Sequence, residues 1–435
     1  MAIAVAGAAP PATSPEQTVR PLTRTERALV AHVDAHDGEA RVLLEKVVGI
    51  NSGTHNLGGV REVGRVFEEQ LAGLGFTVRW VDGAAFGRAG HLIATRTGKG
   101  PHVLLIGHLD TVFEADSPFQ RWEPLPGDRA RGPGVTDMKG GDVILVRALA
   151  ALKAAGTLDR LRVTVVLHGD EEDSGSPLSL ARQDLRAAAE GVDVALGFED
   201  GDGDPRHAVV ARRGSVDWRL TTKGTPAHSS QIFQPEVGAG AAYEAARILN
   251  GFYEELSREP NLTFSPGLLV GGTTAEISDD GIRGSASGKG NVVAGVTIVN
   301  GDLRTLSPEQ LTSTQETMRK IAARNLPGTS AELTFGEGYP PMAPTPGNHE
   351  LLAMYDQASR DLGLGPVTAV DPRRAGAADV SFVADLVPRV LDALGLKGTG
   401  GHTDQETADL ATLATQTKKA ALLLHRLALQ PPSRR

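Results

Sequence analysis

Cysteine is absent from the whole 435-residue chain. That excludes disulfides, thiolate metal sites and a cysteine nucleophile, so a bound metal must be held by His, Asp and Glu. Long apolar runs are absent too: none approaches the ~18 residues needed to cross a bilayer, so no membrane partner is expected. No basic run offsets the net charge of −9, which argues against a nucleic-acid partner. What remains is an ordinary globular composition, 40% hydrophobic and 22% charged, in a chain long enough for two or three domains. The Ala-rich start, Met1 to Ala12, lacks a basic beginning and reads as a disordered leader or the remainder of a trimmed signal. The lack of cysteine leaves the compartment open between cytoplasm and export.

Apolar residues recur at helical spacing from Thr23 to Val48, and again at Val63, Val66, Phe67 and Leu71, where Gly73 and Gly75 are stop signals. Strands are expected at 77–81, 91–95, 103–106, 162–167 and 193–198, with helices at 143–152 and 177–189. The stretch 116–131, with three prolines, reads as an irregular loop. This alternation predicts an α/β fold, a mainly parallel sheet with helices on both faces. The pattern changes at Arg213. An alternating strand (Val216, Trp218, Leu220) is followed by a helix at 238–253, a strand pair at 291–303 and a helix at 308–323, which suggests a smaller inserted α+β unit. Alternation resumes from Glu332 to a last helix at 407–427. The expected plan is a leader (1–22), a larger domain (23–212 and 328–435) and an insert (213–327).

Val103-Leu104-Leu105-Ile106 reads as a strand buried on both faces, opening into Gly107-His108-Leu109-Asp110. In extended chain His108 and Asp110 point to one side, so the carboxylate can hold the imidazole in one tautomer, as metal-binding histidines require. A buried histidine beside a turn aspartate is the plain alternative. A second strand ends in His168-Gly169-Asp170-Glu171-Glu172-Asp173, four consecutive acids that need cations or water. They are either a solvated acidic loop or one metal ligand beside one general base. A third strand ends in Glu199-Asp200. Gly132 to Gly141 is a turn entering a helix, where glycines let the backbone approach something closely and Asp137 is either N-cap or ligand. Gly400-Gly401-His402 precedes the last helix. Parallel strands point the same way, so His108, Glu171, Glu172 and Glu199 should share one edge of the sheet. Oxygen and nitrogen donors without sulfur suit Zn²⁺, with Mn²⁺ or Co²⁺ as alternatives.

In this order, the motifs His-Leu-Asp-Thr-Val, Gly-Pro-Gly-x-x-Asp-x-Lys-Gly-Gly and Asp-Glu-Glu resemble a family of two-zinc exopeptidases and deacylases. It includes folate-cleaving glutamate carboxypeptidase, aminoacylase, acetylornithine deacetylase and succinyl-diaminopimelate desuccinylase. The match runs from about Leu43 to Leu427, and the ligand spacing is most similar to the glutamate carboxypeptidase branch. The resemblance implies two Zn²⁺ per chain, with His108 and Glu199 on one, Glu172 and His402 on the other, and Asp137 bridging. It further implies that Asp110 orients His108, that Glu171 is the base, and that the Asp137–Met138 peptide is cis. The insert would serve as lid and dimerisation domain. Within it, Gly224-Thr225-Pro226-Ala227-His228-Ser229 resembles the family's Gly-x-x-Ala-His-Ser. That implies a homodimer in which His228 reaches the neighbouring subunit's site and stabilises the oxyanion; a surface histidine in a Pro/Gly turn is the alternative. Asn291 and Arg304 match positions that hold the substrate's carbonyl and free carboxylate, although Arg304 could instead form an ion pair within the lid. Arg212 and Arg213 are further candidates.

The activity so implied is zinc-dependent hydrolysis of an amide bond in a short peptide or N-acyl amino acid with a free carboxylate, as in the carboxypeptidases. Deacylation of a small N-acyl metabolite is the alternative. A non-catalytic metal-binding relative would be expected to lose Glu171 first. A nucleotide-binding protein is poorly supported, because Gly238 and Gly240 follow a proline-containing loop rather than a strand. The chain departs from the branch at Met138, at Thr263 (where relatives carry Arg in Asn-Leu-Arg-Phe) and at 375–380. The last two differences bear on the substrate, not on the reaction class.

Overall fold

The apolar run after His102 lies in the middle of a six-stranded sheet in the computed structural model, which describes residues 18–278 and 281–431. The leader expected at 1–22 therefore lies outside the described residues up to position 17. The strands are β1 (Thr77–Asp82), β2 (Gly90–Arg96), β3 (His102–His108), β6 (Arg162–His168), β7 (Val194–Gly197) and β16 (Val390–Leu391). Their order is β1-β2-β6-β3-β7-β16. The four strands from β6 to β16 are parallel, whereas β2 and β1 join antiparallel.

Every residue of β3 is buried, and the period of two shows where each goes. Val103 and Leu105 enter a large core built with α1 (Arg24–Ala35), α2 (Asp37–Val48), α3 (Leu57–Gly73), α4 (Lys139–Ala154), α9 (Pro346–Asp361) and α10 (Ala411–Leu427). Leu104 and Ile106 face the opposite core, with Leu185 of α6 (Gln183–Ala189) and Val380 and Val383 of a 3₁₀ turn. The helix expected at 177–189 is thus two pieces, α5 (Leu178–Ala181) and α6, separated at Arg182.

The proline-rich stretch is not irregular. It holds β4 (Glu123–Leu125) and β5 (Arg129–Arg131), which join β18 (Thr407–Asp409) and β17 (Gly398–Thr399) in a sheet ordered β17-β18-β5-β4. Pro124 is tolerated because β4 is the edge strand. A short parallel pair, β8 (His207–Ala208) with β15 (Thr368–Ala369), packs nearby.

The second layer comprises β9 (Ser215–Lys223), α7 (Ala241–Leu256), β10 (Thr263–Gly272), β11 (Thr274–Ile277), β12 (Gly284–Ser287), β13 (Val296–Arg304), α8 (Pro308–Ala322) and β14 (Ser330–Tyr339). Four of these strands form an antiparallel sheet, β10-β13-β9-β14, while β11 and β12 form a separate hairpin. Trp218 and Leu220 pack with Ile248, Phe252, Met318 and Ile321 in a core of their own. The strand pair expected at 291–303 is the single strand β13. Its partner β10 was hidden because Pro266 and a bulge before Leu268 break the alternation on an edge strand. The strand β14, expected in the larger unit beyond 327, pairs with β9, so the antiparallel layer extends to Tyr339. The two chain crossings lie side by side, with Tyr339 opposite Ser215 and Arg212 bridged to Met342.

Glycine sets how closely α4 meets the sheet. A Cβ on Gly141 would stand 1.9 Å from the Phe198 carbonyl oxygen, just before Glu199. Alanine at this helical position would add about 1 kcal/mol of helix propensity. The collision outweighs that gain: Gly141→Ala is expected to destabilise by about 1–3 kcal/mol in urea unfolding. Stability at or above that of the wild type would contradict this reading of the close approach.

Candidate metal centre

Five side chains meet at the carboxyl edge of the parallel strands, where such sheets carry their sites. His108 ends β3, Glu172 follows β6, Glu199 follows β7, Asp137 sits in the turn before α4 and His402 lies between β17 and β18. His108 Nε2 is 3.1 Å from Asp137 Oδ1 and 3.7 Å from Glu199 Oε1. His402 Nε2 is 2.9 Å from Asp137 Oδ2 and 3.1 Å from Glu172 Oε2. The donor atoms of His108, Asp137 and Glu199 lie within 4.8 Å of one another, and so do those of Asp137, Glu172 and His402. Asp137 thereby gives one oxygen to each group. Its peptide bond to Met138 is cis.

The backbone around the cluster is held by buried acids. His108 Nδ1 is 3.0 Å from the Asp110 carbonyl and 3.4 Å from its Oδ1, so a proton on Nδ1 leaves the Nε2 lone pair facing Asp137. The Asp110 carboxylate has further tasks: it accepts from Thr54 Oγ1 at 2.6 Å, Glu171 N at 3.0 Å and Glu172 N at 3.1 Å. Glu406, fully buried, accepts from Gly134 N at 2.8 Å, Thr136 N at 2.8 Å and Asp137 N at 3.1 Å, which clamps the turn presenting Asp137. Glu406 carries no motif, and nothing in the sequence marks it.

The acidic run divides by position. Asp170 is buried and pairs with Arg182 Nη1 at 2.8 Å, and the Arg182 Nε donates to Asp379 Oδ1 at 2.8 Å. His168 bonds the other oxygen of Asp379. Asp379 comes from the stretch 375–380 that matched its relatives only loosely. At the surface, Asp173 meets His55 at 2.8 Å and Arg88 at 3.0 Å. Glu171 and Glu172, between these, face the cluster.

Charge is crowded here. Burial, reinforced by neighbouring acids, pushes Glu171 well above the carboxylate range. Burial and the Asp137 charge push up Glu172 and Glu199, and raise Asp200 to about 7. Burial opposes ionisation of Asp137 too, but its bonds to His108 and His402 outweigh that and hold it low. Hydrogen bonds to Asp137 and Glu172 drive His402 up to about 11. Such a cluster demands positive charge. Divalent cations would supply it with the imidazoles neutral. Two imidazole nitrogens and three carboxylates, free of sulfur, fit that role.

The remaining sequence candidates lie in the second layer. His228 is exposed, with Nδ1 2.8 Å from Ser230 Oγ, and its backbone bridges Val292. Asn291 lies alongside, its carbonyl accepting from Ser229 N at 2.8 Å. Among the described residues, the hydrogen bonds of this pair stay within the second layer. Arg304 donates Nε to Asp302 Oδ2 at 2.8 Å, the ion pair raised as the alternative. Arg212 is buried against Asp392 at 2.7 Å, which makes it a structural tie. Arg213 Nη1 donates to Thr263 Oγ1 at 3.0 Å, so a guanidinium reaches the position where relatives carry arginine.

A parallel α/β sheet with a paired histidine–carboxylate cluster at its strand ends, plus an antiparallel insert, defines a metal-dependent hydrolase. Residues 104–426 match the model of Peptidase family M20/M25/M40, and the chain belongs to that family. It is 27% identical over 393 residues to carboxypeptidase G2 of Pseudomonas sp. (strain RS-16), covering 88% of this chain and 87% of that one. It is 26% identical over 375 residues to a succinyl-diaminopimelate desuccinylase of Alkalilimnicola ehrlichii, covering 83% and 93%. The solved Bacillus subtilis YXEP protein, described as a dinuclear metal binding peptidase from the M20 family, shares the fold. Its TM-score is 0.62 at 15% identity, over 90% of this chain and 98% of that one. Membership makes this chain a metal-dependent hydrolase of an amide bond. Among the described residues no helix is long and apolar enough to cross a membrane.

Glu406→Gln would turn an amide N–H₂ toward backbone N–H donors. It is expected to weaken metal binding about 10–100-fold in a calorimetric titration while the far-ultraviolet dichroism is preserved. Unchanged affinity would show that the clamp on the Asp137 turn is dispensable.

Proposed function

We propose that this chain is a two-zinc, carboxypeptidase-like hydrolase of peptides or N-acyl amino acids that carry a free carboxylate. The observation that supports it best is the division of the two Asp137 oxygens between His108 and His402. In this reading His108, Asp137 and Glu199 hold one ion, and Asp137, Glu172 and His402 the other. Zn²⁺ suits the donors, with Mn²⁺ or Co²⁺ as alternatives. When bound, the ions supply Lewis-acid activation of water and of the amide carbonyl.

The chain's own groups supply the rest. Glu171 takes the proton of the attacking water and returns it to the departing amine; burial, reinforced by neighbouring acids, makes it hold a proton more tightly than an ordinary carboxylate. Asp110 holds the N–H groups of Glu171 and Glu172 together, so base and ligand keep a set spacing. Arg304 is assigned to the substrate carboxylate through its outer nitrogens, with Asp302 fixing Nε, and Asn291 to the carbonyl. The second layer, now taken as 213–339, is assigned as lid and dimerisation domain. The exposed pair His228 and Asn291 would reach the site of a second copy, where His228 stabilises the oxyanion. Residues 23–212 and those beyond 340 form the catalytic domain in this plan.

Deacylation of a small N-acyl metabolite is the second reading, favoured by nearly equal identity to desuccinylases and to carboxypeptidase G2. Initial rates on folyl-glutamate, N-acetyl and N-succinyl amino acids and dipeptides separate the two.

Glu171→Gln is expected to keep two metal ions per chain and to lower turnover about 10²–10⁴-fold. Loss of an ion instead would assign Glu171 to ligation. Chelation is expected to abolish turnover and lower the melting temperature, with both restored by zinc. Metal affinity should fall as pH is lowered, because histidine and carboxylate ligands must shed protons to bind. An affinity independent of pH between 5 and 8 would contradict this donor set.

A further inference from the structure

The peptide that carries Glu171 is gripped from two directions. Its N–H and the next one, of Glu172, go to the two oxygens of Asp110, on the loop that follows β3. Its carbonyl accepts from the phenol of Tyr339 at 2.9 Å, and Tyr339 is the last residue of β14, in the other layer. Donor counting settles the directions. A carbonyl only accepts, so the single phenol proton goes to Glu171. Arg182 Nη2 then donates to the phenol oxygen at 2.9 Å and to Ser174 Oγ at 2.8 Å. Ser174 gives its own proton to the phenol oxygen at 3.0 Å. Arg182 is immobilised by Asp170 and Asp379, and the Tyr339 ring packs edge-on against Phe382 at 4.8 Å. Tyr339 thus joins a rigid buried ion network to the Glu171 peptide, at the point where the chain crosses back between layers opposite Ser215.

We infer that Tyr339 is a positioning residue for Glu171: its hydroxyl fixes the peptide carrying the base and ties that peptide to the inserted layer. The inference rests on the reading of Glu171 as the base. Without the hydroxyl, one side of the peptide loses its anchor, and a displacement of about 1 Å at a reacting group can cost on the order of 10²-fold in rate. The substrate-binding groups Arg304 and Asn291 are untouched, so binding should hardly change.

The test uses the zinc-loaded enzyme well below its melting temperature. Tyr339→Phe is expected to lower kcat about 10–100-fold with KM within about threefold and metal content unchanged. Ser174→Ala, which leaves the Tyr339–Glu171 bond in place, is expected to stay within about threefold of wild-type kcat. In a Glu171→Gln background, Tyr339→Phe should cause no further loss, because both act through one group. An unchanged kcat in Tyr339→Phe, or an equal loss in both backgrounds, would overturn the inference and leave Tyr339 a purely structural residue. Wild-type turnover in Glu171→Gln alone would remove the base assignment, and the inference with it. Should Tyr339→Phe fail to fold, 4-aminophenylalanine at position 339 keeps a donor in place and must retain kcat within about tenfold; a larger loss overturns the inference equally.

Discussion

Like charges packed against one another at the end of a parallel sheet are the constraint that the rest of this molecule answers. Asp137, Glu171, Glu172 and Glu199 crowd a space from which water is largely removed, and each raises the cost of ionising its neighbours. Two imidazoles, one buried and one exposed, face the same carboxylate from opposite sides. A site of this kind gains stability by taking up cations. The same crowding raises the affinity of Glu171 for a proton. The demand for cations and the raised proton affinity of Glu171 are two consequences of one charge distribution.

Holding such a cluster requires a shell of buried groups with no direct part in the chemistry. Asp110 accepts three hydrogen bonds and Glu406 accepts three from backbone alone, so neither carboxylate is left unpaired. Arg182 serves Asp170 and Asp379 together and, through Tyr339, reaches the Glu171 peptide. Isolated buried charges would be costly. Linked into chains of paired groups, they make the site rigid. Gly141 contributes in the opposite way, by having no side chain to hold the helix start away from Phe198.

The two layers differ in how they meet this demand. The larger one supplies every member of the five-residue cluster from its strand ends and loops. The antiparallel layer has its own core around Trp218 and Phe252 and presents His228 and Asn291 at an exposed edge. Its Tyr339 hydroxyl donates to the Glu171 carbonyl, beside the paired chain crossings.

Much of this was legible in the residues. A four-residue apolar run ending in His-Leu-Asp announces a buried parallel strand with a site at its end, because burial on both faces removes the polar alternation. The acidic run after β6 announced the cost of its own charge. Local pattern failed where an edge strand tolerates proline, at β4 and β10, and where β14 chose its partner, since pairing depends on residues far away in the chain. It also could not divide four neighbouring acids into one paired with Arg182, two facing the cluster and one at the surface. That division depends on Arg182, Asp379 and Arg88 arriving from elsewhere. The sequence by itself determined the donor types, the strands that carry them and the class of chemistry, because these follow from residue identity and short-range periodicity. Only the tertiary structure decided which acids are paired, what clamps Asp137 and Glu171, and where the smaller layer ends, because hydrogen-bond partners in a folded chain are chosen by distance in space.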